Sequence, residues 1–118
     1  MPTALRLWLP VVAWAALIFG LSSVPDLGTG LGTWDLVLRK LAHAGEYAVL
    51  GALLLRAVRS APAALVLGVL YAVSDELHQT FVPGRRGSAV DVLIDAVGVA
   101  AGVLLWRRLR AQARRAGT

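Results

Sequence analysis

The side chains that could carry acid–base or metal chemistry in this chain are seven acidic residues and two histidines. There is no cysteine, which excludes disulfides, a thiolate metal site and a cysteine redox motif. Most of these groups interrupt long apolar stretches, where an ionisable residue is costly to keep and indicates a functional site by default. The candidates for general acids, general bases or their orienting partners are His43, Glu46, Asp75, Glu76 and Asp91.

The spacing of these residues fits helices. His43 and Tyr47 stand four residues apart, so they share one face of a helix, and Asp75 and Gln79 repeat that spacing in a later segment. Glu76 lies about 100° around the helix from Asp75, where it can face another neighbour.

A third stripe combines acids with glycines. Asp91, Asp95, Gly98 and Gly102 recur at helical spacing, and the Gly98-xxx-Gly102 part predicts close backbone approach to another helix. The stripe therefore predicts packing at one end and chemistry at the other.

Long apolar segments must position these residues. Hydrophobic residues make up 58% of the 118 residues, which excludes a disordered or an ordinary soluble chain. A helix that spans the hydrocarbon core needs about 20 mostly apolar residues. The sequence predicts one all-α domain over residues 1–118, a polytopic bundle of four transmembrane helices at about 5–21, 36–55, 61–82 and 89–106, with a basic tail at 107–118.

The acids on the last three predicted spans lie at a common depth. Counted at about 1.5 Å per residue from the ends next to segments 22–35 and 83–88, Glu46, Asp75 and Asp95 lie about 9 to 12 Å inside their helices. We therefore expect one polar site in one half of the bilayer.

Basic residues predict the orientation. The N-terminus, the 56–60 turn and the tail carry eight basic residues, and the other side carries Arg39, Lys40, Arg85 and Arg86. The positive-inside rule places both termini in the cytoplasm of a multi-pass protein. The arginine-rich tail is expected to anchor at anionic lipid headgroups rather than bind nucleic acid, and the first segment has a cleaved signal peptide as its alternative interpretation.

Several chemistries stay open for the polar site. Oxygen and imidazole ligands could hold a divalent cation, the same groups could form a proton relay, or they could be structural pairs between helices. The chain contains no G-x-S-x-G, H-E-x-x-H or Walker A motif.

Two stretches of the sequence resemble the signatures of the VanZ-like membrane proteins. The first, RKLAHAGEYAVLG, matches a K-x-x-H-x-x-x-Y-x-x-L-G pattern at Lys40, His43, Tyr47, Leu50 and Gly51. The second, DELHQTFVPGRRGSAVDVLIDAVG, matches at Asp75, Glu76, Gln79, Phe81, Pro83, Arg85, Asp91 and Gly98. Asp95 departs from the pattern, because the family often has Asn there.

The resemblance implies a protein of the bacterial cytoplasmic membrane from a family named for accessory resistance to the lipoglycopeptide teicoplanin. We expect an outward-facing site that acts on, or binds, a lipid-linked or anionic envelope molecule, with membrane lipids as neighbours and no nucleic acid. Glu76 or His43 would be the general acid or base. The residues expected to hold the ligand are Lys40, Tyr47, Gln79, Arg85 and Asp95.

The alternative is a non-enzymatic binder or a proton-linked conduit, built from the same groups. A conduit needs polar groups through the other half of the spans, where the sequence is almost entirely apolar. This pattern favours a site on one side. The sequence leaves the reaction, the cation and the oligomeric state open.

Overall fold

A computed structural model describes residues 2–22, 33–81 and 89–116. The described chain is all-helical, as the sequence predicts. Its four helices are α1 (Thr3–Ser22), α2 (Thr33–Val58), α3 (Ala61–Gln79) and α4 (Ala89–Ala116).

Three of the described helices are long and apolar enough to cross a membrane. These segments are Thr3–Leu21, Val37–Val58 and Ala89–Ala116. Helix α3 is not among them, because the polar residues of its last two turns lower its mean hydropathy. The structure thus supports three of the four predicted spans by length and composition.

The surface and the interior are inverted relative to a soluble protein. Large apolar side chains such as Val12, Leu41 and Val97 are more than half exposed, whereas several polar side chains are buried. An apolar exterior around buried polar groups is the distribution that a lipid environment favours.

Helices α2 and α4 form the most extensive pair of the bundle. Gly98 and Gly102 lie so close to α2 that an added Cβ would come 2.4 Å from the carbonyl oxygen of Ala44 and 1.8 Å from that of Ala48. Gly51 of α2 packs in the same way against the carbonyl oxygen of Val99. The close approach predicted from the Gly98-xxx-Gly102 spacing is therefore present.

Helix α1 is an integral element of this bundle. Ile18 is fully buried, and the Trp14 indole donates a hydrogen bond to the backbone carbonyl of Glu46 at 2.8 Å. The Tyr71 hydroxyl of α3 donates to the carbonyl oxygen of Ala15. Aromatic residues thus fix α1 to both α2 and α3.

The helices differ from the predicted spans at several ends. Helix α2 runs three residues further at each end than the predicted 36–55. Helix α3 ends at Gln79, three residues before the predicted end at Val82. Helix α4 continues to Ala116, so the predicted basic tail after residue 106 is a continuation of the same helix. At about 1.5 Å per residue, α4 is about 42 Å long, longer than a hydrocarbon core of about 30 Å.

Candidate functional site

Four polar side chains are buried where α2, α3 and α4 meet near one end of the bundle. The exposed fractions are 2% for Asp75, 3% for Asp95, 5% for Gln79 and 9% for Glu76. Three of them come from the last two turns of α3, and Asp95 comes from the second turn of α4. We call this group, together with His43 and Tyr47, the acid-rich site.

A buried hydrogen bond joins α2 to α3 in this site. The Tyr47 hydroxyl donates to Oδ2 of Asp75 at 2.9 Å, and the Tyr47 side chain is fully buried. Tyr47 was predicted to hold a ligand. In the structure its hydroxyl contacts a carboxylate of the protein, and its ring centroid lies 6.2 Å from that of Tyr71. Ligand binding by Tyr47 stays a prediction.

A second cross-helix approach joins α2 to α4. The Nδ1 atom of His43 lies 3.7 Å from Oδ1 of Asp95. This separation exceeds the usual N–H···O hydrogen bond of about 2.7–3.2 Å.

The same pair belongs to a set that could hold a cation. Ligand atoms of His43, Asp75 and Asp95 all lie within 4.8 Å of one another. One imidazole nitrogen and two carboxylate oxygens suit a divalent ion such as Mn²⁺ or Zn²⁺. The Tyr47 hydroxyl on Asp75 is the kind of outer contact that orients a ligating carboxylate.

The rim of the site carries an ion pair. Lys40 Nζ lies 2.6 Å from Oδ1 of Asp91, with side-chain exposures of 37% and 30%. Lys40 was predicted to bind an anionic ligand, and here it contacts a carboxylate of the protein. An anion would therefore compete with Asp91 for this lysine.

Carboxyl groups are concentrated at the centre of the site. Asp75, Asp91, Glu76 and Glu46 are all near enough to act electrostatically on the Asp95 carboxyl. The positive charge of Lys40 is also near enough to act electrostatically on the Glu76 carboxyl, in the direction opposite to that of the neighbouring acids. Acids from three helices thus share one region, as their common depth predicts.

The remaining predicted residues are distributed around this centre. Glu46 is half-buried on α2, and Gln79 is buried on α3. Arg85 lies outside the described residues, as do most of the two connecting segments that would border an outward opening.

Helix α1 contributes contacts that the sequence analysis did not assign. Phe19 stacks on His78 with ring centroids 4.1 Å apart. In the sequence, this contact was indicated only by an aromatic residue at the same end of a neighbouring span. Such residues are too common to predict a specific contact.

Comparison with known proteins identifies a family for nearly the whole chain. The sequence profile of the family described as VanZ/LLP1 matches residues 6–110. No curated protein and no solved structure matches the chain. The matched range contains every residue of the acid-rich site.

Proposed function

The chain belongs to the VanZ/LLP1 family, and we propose that its acid-rich site binds or processes an anionic, lipid-linked molecule of the bacterial cell envelope. The observation that carries the proposal is the buried, unpartnered carboxyl oxygen of Glu76. The residue is 9% exposed, and its buried Oε1 atom has no hydrogen-bond partner among the described residues. A buried oxygen without a partner is costly in a folded protein and is available to a ligand.

A role in substrate chemistry explains the burial better than a role in packing. Glycine contacts already hold α2 against α4, so the helix pair does not need carboxylates for adhesion. Burying carboxyl groups in an apolar bundle costs free energy unless they are compensated. We infer that Glu76 or His43 acts as general acid or base, and that Asp75 and Asp91 orient the reacting groups.

An anionic ligand requires positive charge at the site. Lys40 at the rim can supply it on releasing Asp91, and we assign the same role to Arg85 from the sequence motif. His43, Asp75 and Asp95 fit a divalent cation, which would polarise a phosphate oxygen of the ligand when bound. Manganese should raise the melting temperature of the wild-type protein but not of Asp95→Asn, and an equal rise in both would exclude this ligand set.

The site is proposed to open on one side of the membrane. Within the described helices, the buried residues between the acid-rich site and the opposite end are small or apolar, including Ala64, Gly68 and Val103. A proton conduit would need polar groups along this stretch. We place the site in the outer half of a four-span protein of the cytoplasmic membrane, with both termini in the cytoplasm, on the basis of the distribution of basic residues.

The test compares function with stability. Glu76→Gln and His43→Ala remove charge or proton transfer without opening a large apolar void. We expect both variants to fold and melt like the wild type, and to lose binding of polyprenyl phosphate and any effect on teicoplanin susceptibility. Ser74→Ala is the matched control, because Ser74 neighbours Asp75 but is exposed and bonds the Tyr71 carbonyl of its own helix.

The opposite result is equally clear. If the carboxylates only hold the helices together, removing one partner leaves the other uncompensated in an apolar setting. Both variants would then lose several degrees of melting temperature in step with function, and the proposal would be wrong.

A further inference from the structure

A second polar feature lies at the other end of the bundle, where α2 ends, α3 begins and α4 leaves the apolar span. It is a cavity of about 710 Å³. Its polar lining consists of Arg59, Trp106, Arg107, Arg110 and Arg114. We call it the arginine cleft.

Positive charge in the arginine cleft is not balanced by any acidic side chain that the structure describes. Arg107, Arg110 and Arg114 follow at i, i+3 and i+7, so they share one face of α4, and Arg59 faces them from the end of α2. None of the four has an ion-pair partner among the described residues. No acidic residue occurs between Glu46 and Asp75 or after Asp95 in the sequence.

The cleft also contains a buried donor. The Nε1 atom of Trp106 is buried and has no hydrogen-bond partner among the described residues. An indole N–H can only donate, so a ligand that satisfies it must offer an acceptor. The four guanidinium groups and the indole N–H are all hydrogen-bond donors, so they suit the same kind of ligand, an anion with several oxygens.

The backbone conformation of Arg59 also indicates a role for its side chain in the cleft. Arg59 has a φ of 58°, in the left-handed region where glycine is the usual residue. Its N–H donates to the carbonyl of Leu55 at 2.8 Å and so closes α2. Glycine would close the helix with less strain, but only a side chain at this position can supply a guanidinium to the cleft.

We propose that the arginine cleft binds a phosphate group. Guanidinium groups bind phosphate through paired, charge-assisted hydrogen bonds. Trp106 is the last residue of the predicted span, at the level where tryptophan and arginine meet lipid headgroups. The phosphate comes from the headgroup of an anionic phospholipid or from a small phosphate compound. This site uses no residue of the acid-rich site.

The test uses the full-length protein in detergent with two probes, phosphatidylglycerol and inorganic pyrophosphate. Native mass spectrometry and titration of the melting temperature give the apparent affinity for each. Binding of phosphatidylglycerol alone identifies a lipid source, and binding of pyrophosphate alone identifies a soluble one. Binding of both supports recognition of the phosphate group, and binding of neither overturns the proposal.

Matched arginine variants separate the cleft from general charge. Arg107→Gln combined with Arg110→Gln should weaken binding at least tenfold, and Trp106→Phe should weaken it severalfold because only the N–H donor is lost. Arg108→Gln should change affinity less than twofold, because Arg108 is exposed on the same helix outside the cleft lining. The cleft arginines are exposed, so we expect the variants to melt like the wild type without probe. The matched comparison for Arg108→Gln is the single variant Arg110→Gln, since each removes one charge. Equal losses in these two variants would reduce the effect to net charge and contradict the proposal.

Discussion

The two ends of the α2–α4 pair differ in how their charges are partnered. At the acid-rich site, hydrogen bonds and an ion pair connect three helices, through Tyr47 to Asp75 and through Lys40 to Asp91. At the arginine cleft, the four lining guanidinium groups lack described partners. The difference suggests that the acid-rich site is organised in advance by the fold, whereas the arginine cleft is completed by a ligand.

The largest expected effect comes from the packing that both ends share. Gly102→Ala would place a Cβ 1.8 Å from the carbonyl oxygen of Ala48, which is backbone and cannot move aside without separating α2 from α4. We expect a loss of about 3 kcal/mol or more in the free energy of unfolding, since overpacking costs about 1–3 kcal/mol even where side chains can adjust. Thermal unfolding in detergent measures it.

Gly45→Ala is the control for this prediction. A Cβ at Gly45 meets nothing within 4 Å, so the same chemical change on α2 should leave the melting temperature unchanged or raise it slightly. Equal destabilisation by the two variants would show that the close α2–α4 contact does not hold the two ends together.

The next largest effect on stability compares a buried hydrogen bond inside the acid-rich site with a hydrogen bond outside it. Tyr47→Phe removes the hydroxyl that donates to the Asp75 carboxylate, and should cost about 1–2 kcal/mol. Tyr71→Phe removes a donor to a neutral backbone carbonyl, and should cost about 0.6 kcal/mol, typical of polar contacts between membrane helices. Urea or thermal unfolding of both variants checks the order, and the reverse order would contradict an acid-rich site organised by Tyr47.

Sequence reasoning predicted the helices and the shared depth of the acids, because both follow from apolar length and the rise per residue. It missed the helical extension to Ala116, since hydrophobicity reports the part of a helix in lipid and not its whole length. The segment after residue 106 is rich in arginine and alanine, which favour helix.

Contacts between helices were harder to predict from the sequence than the helices themselves. The pairing of Tyr47 with Asp75 depends on how the helices are rotated about their axes, which spacing within one helix does not determine. The arginine cleft did have a signal, the i, i+3, i+7 spacing of Arg107, Arg110 and Arg114. Their predicted roles were limited to setting the orientation and anchoring the chain at the membrane.

The smallest expected effect is at the rim. The Lys40–Asp91 pair is about one-third exposed on each side, so solvent and salt screen it. A double-mutant cycle with Lys40→Met and Asp91→Asn should give a coupling free energy below about 1 kcal/mol that falls further in high salt. A larger coupling that does not respond to salt would mean that Lys40 is held by the fold and is not available to an anion.

The two ends of the bundle are proposed to face opposite sides of the membrane, with the acid-rich site outside. The chain has no native cysteine, so single cysteines report cleanly. Gly87→Cys lies in the segment that precedes α4 at the acid-rich end. Ala116→Cys lies at the far end of α4. Ala116 is a better position than Ser60, because a cysteine at Ser60 would remove the hydroxyl that caps α3. In intact cells an impermeant thiol reagent should label Gly87→Cys and not Ala116→Cys. Labelling of Ala116→Cys alone would invert the orientation, and labelling of both would contradict a membrane between the two ends.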